Sequence, residues 1–159
     1  MRLLLRANAH RSLDGGGVEV ASSPDTPRHE LWRWQLRIDA APSGPSQAAA
    51  STADLIGEAG AVSRLELAVD PSEIDGRIEL VEVTAPARID RDGRELVALV
   101  VGSGTVLFEG RHVLHAHDTL VIEGDDPLEI SAERLAGDKV AVAVVRLRPV
   151  DAQRIVWVP

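Results

Sequence analysis

The chain has 159 residues, of which 45% are hydrophobic, so it has enough apolar mass for a folded core. Its formal charge is −8, and its arginines are scattered among acidic residues. That pattern excludes a nucleic-acid or membrane-surface partner, because both require a concentrated basic face. The chain contains no cysteine, which excludes disulfides, thiolate catalysis and cysteine-based zinc sites and is typical of a cytoplasmic protein. The early leucines, Leu3 to Leu5, form a run too short for a signal peptide, and no run approaches a membrane span.

The first clear element is residues 31–39, where apolar and polar residues alternate. Trp32 and Trp34 fall on one face of the predicted strand, and Arg33 and Arg37 fall on the other. The indoles are expected to pack in the core, although a buried indole N–H needs a partner, so one of them could also border a ligand pocket. An arginine that faced a pocket would bind a carboxylate through two parallel hydrogen bonds, whereas a solvated sheet face is the default.

Residues 41–60 interrupt this pattern because they are rich in Ala, Ser, Pro and Gly. This composition predicts a linker or one short helix around residues 48–56. We therefore divide the chain into an N-terminal β portion (1–46), a linker or short helix (47–60) and a more regular β region (61–159).

The last region contains a series of short β-rich segments with turn residues between them and almost no helical pattern. A Gly-Ser-Gly sequence at 102–104 predicts a hairpin within residues 95–110. Short spacing of this kind indicates an all-β, antiparallel sandwich or barrel. The other predicted strands lie at 61–70, 76–85, 119–124, 127–132 and 139–149.

Several motifs near the N-terminus resemble those of the HutD/Ves family of bacterial cupins. They are the Asp-Gly-Gly-Gly-Val sequence at 14–18, the acidic-aliphatic-Ala segment at 19–21, the Trp-Gln-Leu-Arg-Ile strand at 34–38 and the Ser-Gly-Pro-Ser turn at 43–46. The His-Asp-Thr-Leu sequence at 117–120 is similar to the Gly-Asp-Thr-Leu turn of a cupin barrel. The Phe of the family's Gly-Pro-Phe-Ser turn and its Phe-Pro-Gly-x-x-Arg element are missing, so the first half is expected to be abbreviated and divergent.

The resemblance implies a cupin-type double-stranded β-helix, an antiparallel β-barrel fold built from two related β-halves. It also implies a role close to small-molecule metabolism, with an amino-acid breakdown product as one ligand candidate. Glu19 matches the acidic position that follows the glycines in the family. Together with Trp34 and Arg37 it forms the predicted ligand-binding set.

Three of the five histidines lie within six residues, at 112, 115 and 117. A metal-binding cupin uses a His-x-His pair, a following Glu and a later His, since several N and O ligands must converge on one ion. His115, His117 and Glu123 are the alternative metal ligands, but Glu123 is farther along than that motif prefers, and no histidine follows 117. His10 or His29 would have to complete the site. The favoured interpretation is a polar turn in which His117 replaces a glycine, because His tolerates unusual turn dihedrals.

No nucleophile elbow and no paired catalytic carboxylates are present. These absences favour a non-catalytic protein with no cofactor. The resemblance to HutD/Ves cupins implies that it binds a small polar metabolite, such as a carboxylate, in a regulatory or accessory role. One alternative is a metal-dependent cupin enzyme of the isomerase or dioxygenase type. The other is a structural module that forms a homodimer through a sheet edge.

Overall fold

A computed structural model shows the fold and describes residues 2–14, 16–23, 34–40, 51–137, 139–151 and 155. Two short 3-10 turns, Ala7–Ala9 and Glu58–Gly60, accompany the strands. No helix in this part of the chain is long and apolar enough to cross a membrane. The strands of the described residues are β1 Arg2–Leu5, β2 Arg11–Ser12, β3 Val18–Ser22, β4 Trp34–Asp39, β5 Ser51–Ile56, β6 Val62–Val69, β7 Ile74–Glu82, β8 Ala87–Asp90, β9 Leu96–Val101, β10 Thr105–Phe108, β11 His112–His115, β12 Thr119–Ile122, β13 Glu129–Ala136 and β14 Ala141–Pro149.

The strands form three sheets in which the assigned strand pairs are antiparallel. The N-terminal sheet has the order β2-β3-β4-β6-β5. The central sheet has the order β1-β12-β9-β14-β7, and the distal sheet has the order β11-β10-β13-β8. The predicted all-β, antiparallel class is therefore confirmed.

The central sheet lies between two hydrophobic cores. Ala98 and Val100 of β9 pack into a core shared with the N-terminal sheet, whereas Leu99 and Val101 pack into a core shared with the distal sheet. All six residues of β9 are buried. Because successive side chains of a strand point to opposite faces, a sheet covered on both faces requires an uninterrupted apolar run, as in Leu-Val-Ala-Leu-Val-Val.

The segment predicted as a linker or a short helix contains β5, so that prediction is wrong for residues 51–56. Its alternation is weak because the inward positions, Ser51, Ala53 and Leu55, include only one large apolar side chain. β5 pairs with β6, which also pairs with β4, and this pairing stabilises the strand although its local strand propensity is weak. The N-terminal sheet therefore continues across the predicted boundary into residues 62–69. Residues 47–50 lie outside the described part of the chain.

The predicted hairpin at residues 102–104 is also wrong. β9 belongs to the central sheet and β10 to the distal sheet, so the Gly-Ser-Gly sequence carries the chain from one sheet to the other. Gly104 has a φ of +73°, and a Cβ there would lie 2.7 Å from both the Ala136 carbonyl oxygen and Val140 Cγ2. Glycine is thus required by a tight crossing, a feature that a sequence pattern does not separate from a hairpin turn.

Candidate functional site

The three side chains predicted as ligand contacts do not share one site. Trp34 lies on the inner face of β4 and is 5% exposed, in the core between the N-terminal and central sheets. Its accessible edge borders an open depression of about 540 Å³ beside Pro71. Trp34 is therefore mainly a core residue, whereas Arg37 points to the opposite face of the same strand. Trp32, Arg33 and His29 lie outside the described residues.

Glu19 is held in a cross-strand network on the outer face of the N-terminal sheet. One carboxylate oxygen accepts a hydrogen bond from Ser22 Oγ at 3.2 Å and pairs with Arg11 at 3.0 Å. The other oxygen accepts a hydrogen bond from the side-chain amide of Gln35. Because both oxygens already have partners, this carboxylate stabilises the pairing of β2, β3 and β4.

Arg37 lies opposite Glu19 in the β3–β4 register but pairs with Glu66 of β6. Its Nε and one terminal nitrogen both contact one Glu66 carboxylate oxygen. The Glu66 side chain is only 7% exposed, so the arginine neutralises a largely buried charge. The guanidinium group of Arg37 is therefore already paired with a side chain of the protein, Glu66.

The histidine-rich sequence connects β11 of the distal sheet to β12 of the central sheet. His117 has a φ of +68°, which confirms the prediction that it occupies a glycine-like turn position. Its main-chain N–H donates to the Val101 carbonyl oxygen at 2.6 Å, and its Nε2 lies 3.1 Å from Ser63 Oγ. The imidazole therefore connects the turn to β6 of the N-terminal sheet.

The alternative metal ligands are not brought together. His115 is exposed, and its Nδ1 lies 3.2 Å from Thr105 Oγ1 rather than beside His117. Glu123 follows β12, whereas His117 precedes it, and four strand residues span about 13 Å. The described residues contain no group of three or more His, Cys, Asp or Glu side chains that could hold a metal ion. In the described residues, His115, His117 and Glu123 are therefore not placed as ligands of one ion.

His10 lies close enough to His117 for the two imidazoles to influence each other. Burial, followed by the neighbouring charge of His117, lowers the pKa of His10, and this outweighs the opposite effect of Asp118. Burial likewise lowers the pKa of His117. Both imidazoles are therefore stabilised in their neutral forms.

Asp118 fixes the N-terminal strand to this turn. Burial alone raises its pKa, but hydrogen bonds from the main-chain N–H groups of His115 and Ala7 and from Arg6 outweigh burial and lower it. The Arg6 and Ala7 bonds measure 2.7 Å and 2.9 Å. These contacts are structural, because every donor belongs to the end of β11 or to the segment after β1.

An open groove of about 870 Å³ lies elsewhere, between the edge strands of two sheets. β5 is the edge of the N-terminal sheet and β7 is the edge of the central sheet. The strands are linked where the Ile78 N–H donates to Ser51 Oγ at 3.1 Å, and the groove is lined by later residues of both strands. Its volume falls within the range of small-molecule sites. The lining includes Asp54, Ile56, Leu80, Glu82, Lys139 and Val140.

The groove ends against two loops that hold each other in place. Ser103 Oγ donates to the Lys139 carbonyl oxygen at 2.8 Å, and the Gly102 N–H donates to the Ala141 carbonyl oxygen at 2.8 Å. Gly104 and Gly137 approach so closely that a Cβ on Gly137 would lie 3.1 Å from the Gly104 Cα. The main chain that carries Lys139 is therefore held in place by the loop that follows β9.

Charged and apolar groups line the same groove. Ile56 is 62% exposed and Leu80 is 51% exposed, so the walls offer apolar surface to a ligand. Asp54 is already paired with Arg64 at 2.8 Å, and the hydrogen bond from that arginine lowers its pKa. The side chains of Lys139 and Glu82 make no hydrogen bond or ion pair with another described residue.

Lys139 was not identified in the sequence as a functional residue, although a signal was present. It is the single lysine of a chain whose other basic side chains, apart from histidine, are arginines. Arginines form the ion pairs of the N-terminal, central and distal sheets. Lysine differs from arginine in that it carries a flexible point charge instead of a planar donor group.

The fold was compared with known proteins. No protein-family model and no curated protein sequence matches the chain significantly. Among solved structures, the chain is similar to the conserved protein of unknown function PA5104 from Pseudomonas aeruginosa PAO1. The TM-score is 0.67 at 18% identity, covering 94% of this chain and 100% of that one. It is also similar to HutD from Pseudomonas fluorescens SBW25 (formate condition), with a TM-score of 0.62 at 15% identity, covering 95% of this chain and 100% of that one. The HutD-like fold implied by the sequence motifs is confirmed.

Proposed function

We propose that this protein is a non-catalytic binding protein for a small organic acid, which it holds in the groove between β5 and β7. Within the HutD-like fold, the observation that carries this function is Lys139. It is the chain's single lysine, it lines an open groove, and it has no side-chain partner among the described residues. The protein then acts in a regulatory or accessory role, by responding to the concentration of its ligand.

The groove suits an acid that has an aliphatic part. The ammonium group of Lys139 donates to the carboxylate, and a hydrogen bond between charged groups contributes about 1.5–3 kcal/mol. Ile56 and Leu80 offer apolar surface to the rest of the molecule, at about 25 cal/mol for each Å² removed from water. A small acid of this kind is expected to bind with a Kd on the order of 1 mM.

The resemblance to HutD suggests which acids to test first. Breakdown products of amino acids carry a carboxylate on a short carbon chain, which is the combination that Lys139 and the apolar walls of the groove would bind. Glu82 faces the same groove, so a second negative charge on the ligand next to it is disfavoured.

Calorimetric titration of the purified protein tests this proposal. The probes are isocaproate, an aliphatic acid, and isocaproamide, its neutral isostere. Isocaproate is expected to bind the wild type, and Lys139→Ala is expected to weaken it about tenfold. Arg88→Ala is the matched control, since Arg88 is an exposed cation that pairs with Glu129 on the distal sheet, and its loss changes the net charge equally. Equal binding of acid and amide, or equal weakening in both variants, refutes the proposal.

Two further features of the sequence prediction are still proposals. A homodimer formed through a sheet edge is checked by light scattering at several protein concentrations, and a constant monomer mass refutes it. A cytoplasmic location is checked by fractionating cells that express the protein.

A further inference from the structure

The outer edge of β7 exposes main-chain groups to the groove. The Val83 N–H donates to the Val140 carbonyl oxygen at 2.8 Å, so odd-numbered residues at this end of β7 direct their main chain towards β14. The Ile78 N–H donates instead to Ser51 Oγ, on the β5 side. Main-chain directions alternate along a paired strand, so Leu80 and Glu82 direct their N–H and C=O groups away from β14.

These outward groups of Leu80 have no partner among the described residues. Ser51 satisfies the β7 edge at Ile78, but beyond that point the groove lies beside β7 instead of a neighbouring strand. An unpaired strand edge binds an extended chain through main-chain hydrogen bonds. A small acid leaves these groups unused, whereas a peptide pairs with them.

We propose that the groove binds the C-terminal residues of an extended peptide, which adds along the edge of β7 with its terminal carboxylate on Lys139. This inference rests on the proposed function and specifies its ligand. Lys139 directly precedes Val140, which pairs with Val83 just beyond β7. The carboxylate therefore lies beyond the C-terminal end of β7, and the peptide runs in the same direction as that strand.

The lining also indicates the sequence of such a peptide. Its last side chain lies against Ile56, which is largely exposed, so an aliphatic residue is expected there. Glu82 belongs to the strand that the peptide pairs with, so its carboxylate favours a basic residue upstream of the terminus and disfavours an acidic one. The net charge of −8 likewise favours a basic peptide over an acidic one.

The experiment compares four probes by calorimetry, with the chain at its full length. They are acetyl-Ala-Arg-Ala-Leu with a free carboxylate, the same peptide with a terminal amide, acetyl-Ala-Glu-Ala-Leu with a free carboxylate, and isocaproate. The first peptide is expected to bind at least about tenfold more tightly than the other three. In Lys139→Ala, the acid and the amide of that peptide are expected to bind equally.

Amide chemical shifts distinguish main-chain pairing from simple charge attraction. The first peptide is expected to move the Leu80 N–H resonance, and N-methylation of one of its main-chain nitrogens is expected to weaken binding about tenfold. Tolerance of every N-methylation overturns the strand-addition proposal.

The outcomes separate this proposal from the broader one. Equal binding of the first peptide and isocaproate, each lost in Lys139→Ala, overturns the peptide proposal and leaves the organic-acid function standing. Equal binding of the peptide acid and amide to the wild type also overturns the peptide proposal. If no acid binds, both are overturned.

Discussion

One added methyl group at Gly104 tests whether the end of the groove is as tightly built as its geometry indicates. The backbone of Gly104 is left-handed, with a φ of +73°, and a Cβ there would lie 2.7 Å from the Ala136 carbonyl oxygen and from Val140 Cγ2. Gly110 offers a matched control, because its φ is +65° but nothing lies within 4 Å of the added atom. The two substitutions share the backbone penalty and differ in the steric clash.

The magnitudes follow from these two contributions. An L-residue in the left-handed region costs about 1–2 kcal/mol, so Gly110→Ala is expected to lower the free energy of unfolding by that amount. Gly104→Ala adds the cost of overpacking, which is about 1–3 kcal/mol. Its total is therefore about 2–5 kcal/mol, and binding of isocaproate is expected to weaken because Lys139 moves with the loop.

Urea denaturation measures the free energies of unfolding of the two variants. The dependence of each free energy on urea concentration is also compared, to check that the denatured states are alike. If Gly104→Ala and Gly110→Ala lower stability equally, the close approach of the two loops is refuted. The isocaproate titration of folded Gly104→Ala then shows whether the position of Lys139 depends on the close approach of the two loops.

Three other predictions concern the core and the histidine-rich turn. Trp34→Ala is expected to destabilise the protein by about 3–5 kcal/mol in urea, because the indole is buried in the core; a loss below about 1 kcal/mol would contradict its packing role. The folded-state pKa values of His10 and His117 are lowered below the value of about 6.5 expected in the unfolded chain, so the unfolded chain binds protons first as the pH falls. Stability is therefore intact above about pH 6.5 and decreases as the pH falls through the lowered values, and a variant with both His10→Asn and His117→Asn is expected to show a flatter profile. Elemental analysis of untagged protein purified without chelators is expected to find only sub-stoichiometric metal; a full equivalent of iron, manganese, nickel or zinc would contradict the description of the turn.

The elements that sequence alone predicted well are those in which the packing environment repeats with the strand period. Residues 34–38 alternate between buried and half-buried positions, and the continuous apolar run of β9 corresponds to a strand covered on both faces. β5 was missed because Ser51 and Ala53 carry little hydrophobic signal, and its strand conformation comes from pairing with β6. Pairing with a distant strand is a tertiary effect that local composition does not contain.

The candidate site was harder to predict than the fold. Glu19 and Arg37 lie next to each other in the β3–β4 register, as a shared site requires, but each is already neutralised by another side chain. The partner of Arg37, Glu66, is 29 positions away in the chain, so the sequence alone could not show that this arginine is occupied. The His117 turn was predicted correctly because its conformation is local, whereas the groove depends on where the edges of two sheets meet.

The central claim, that a carboxylate binds the ammonium group of Lys139, is tested most directly by NMR of that side chain. Because Lys139 is the single lysine, selective isotope labelling of lysine gives one set of side-chain signals with no assignment problem. We expect isocaproate to shift the signal of the carbon next to the ammonium group in a saturable way, with isocaproamide leaving it unchanged. A signal that stays in place with isocaproate, or that moves equally with both compounds, would contradict the account.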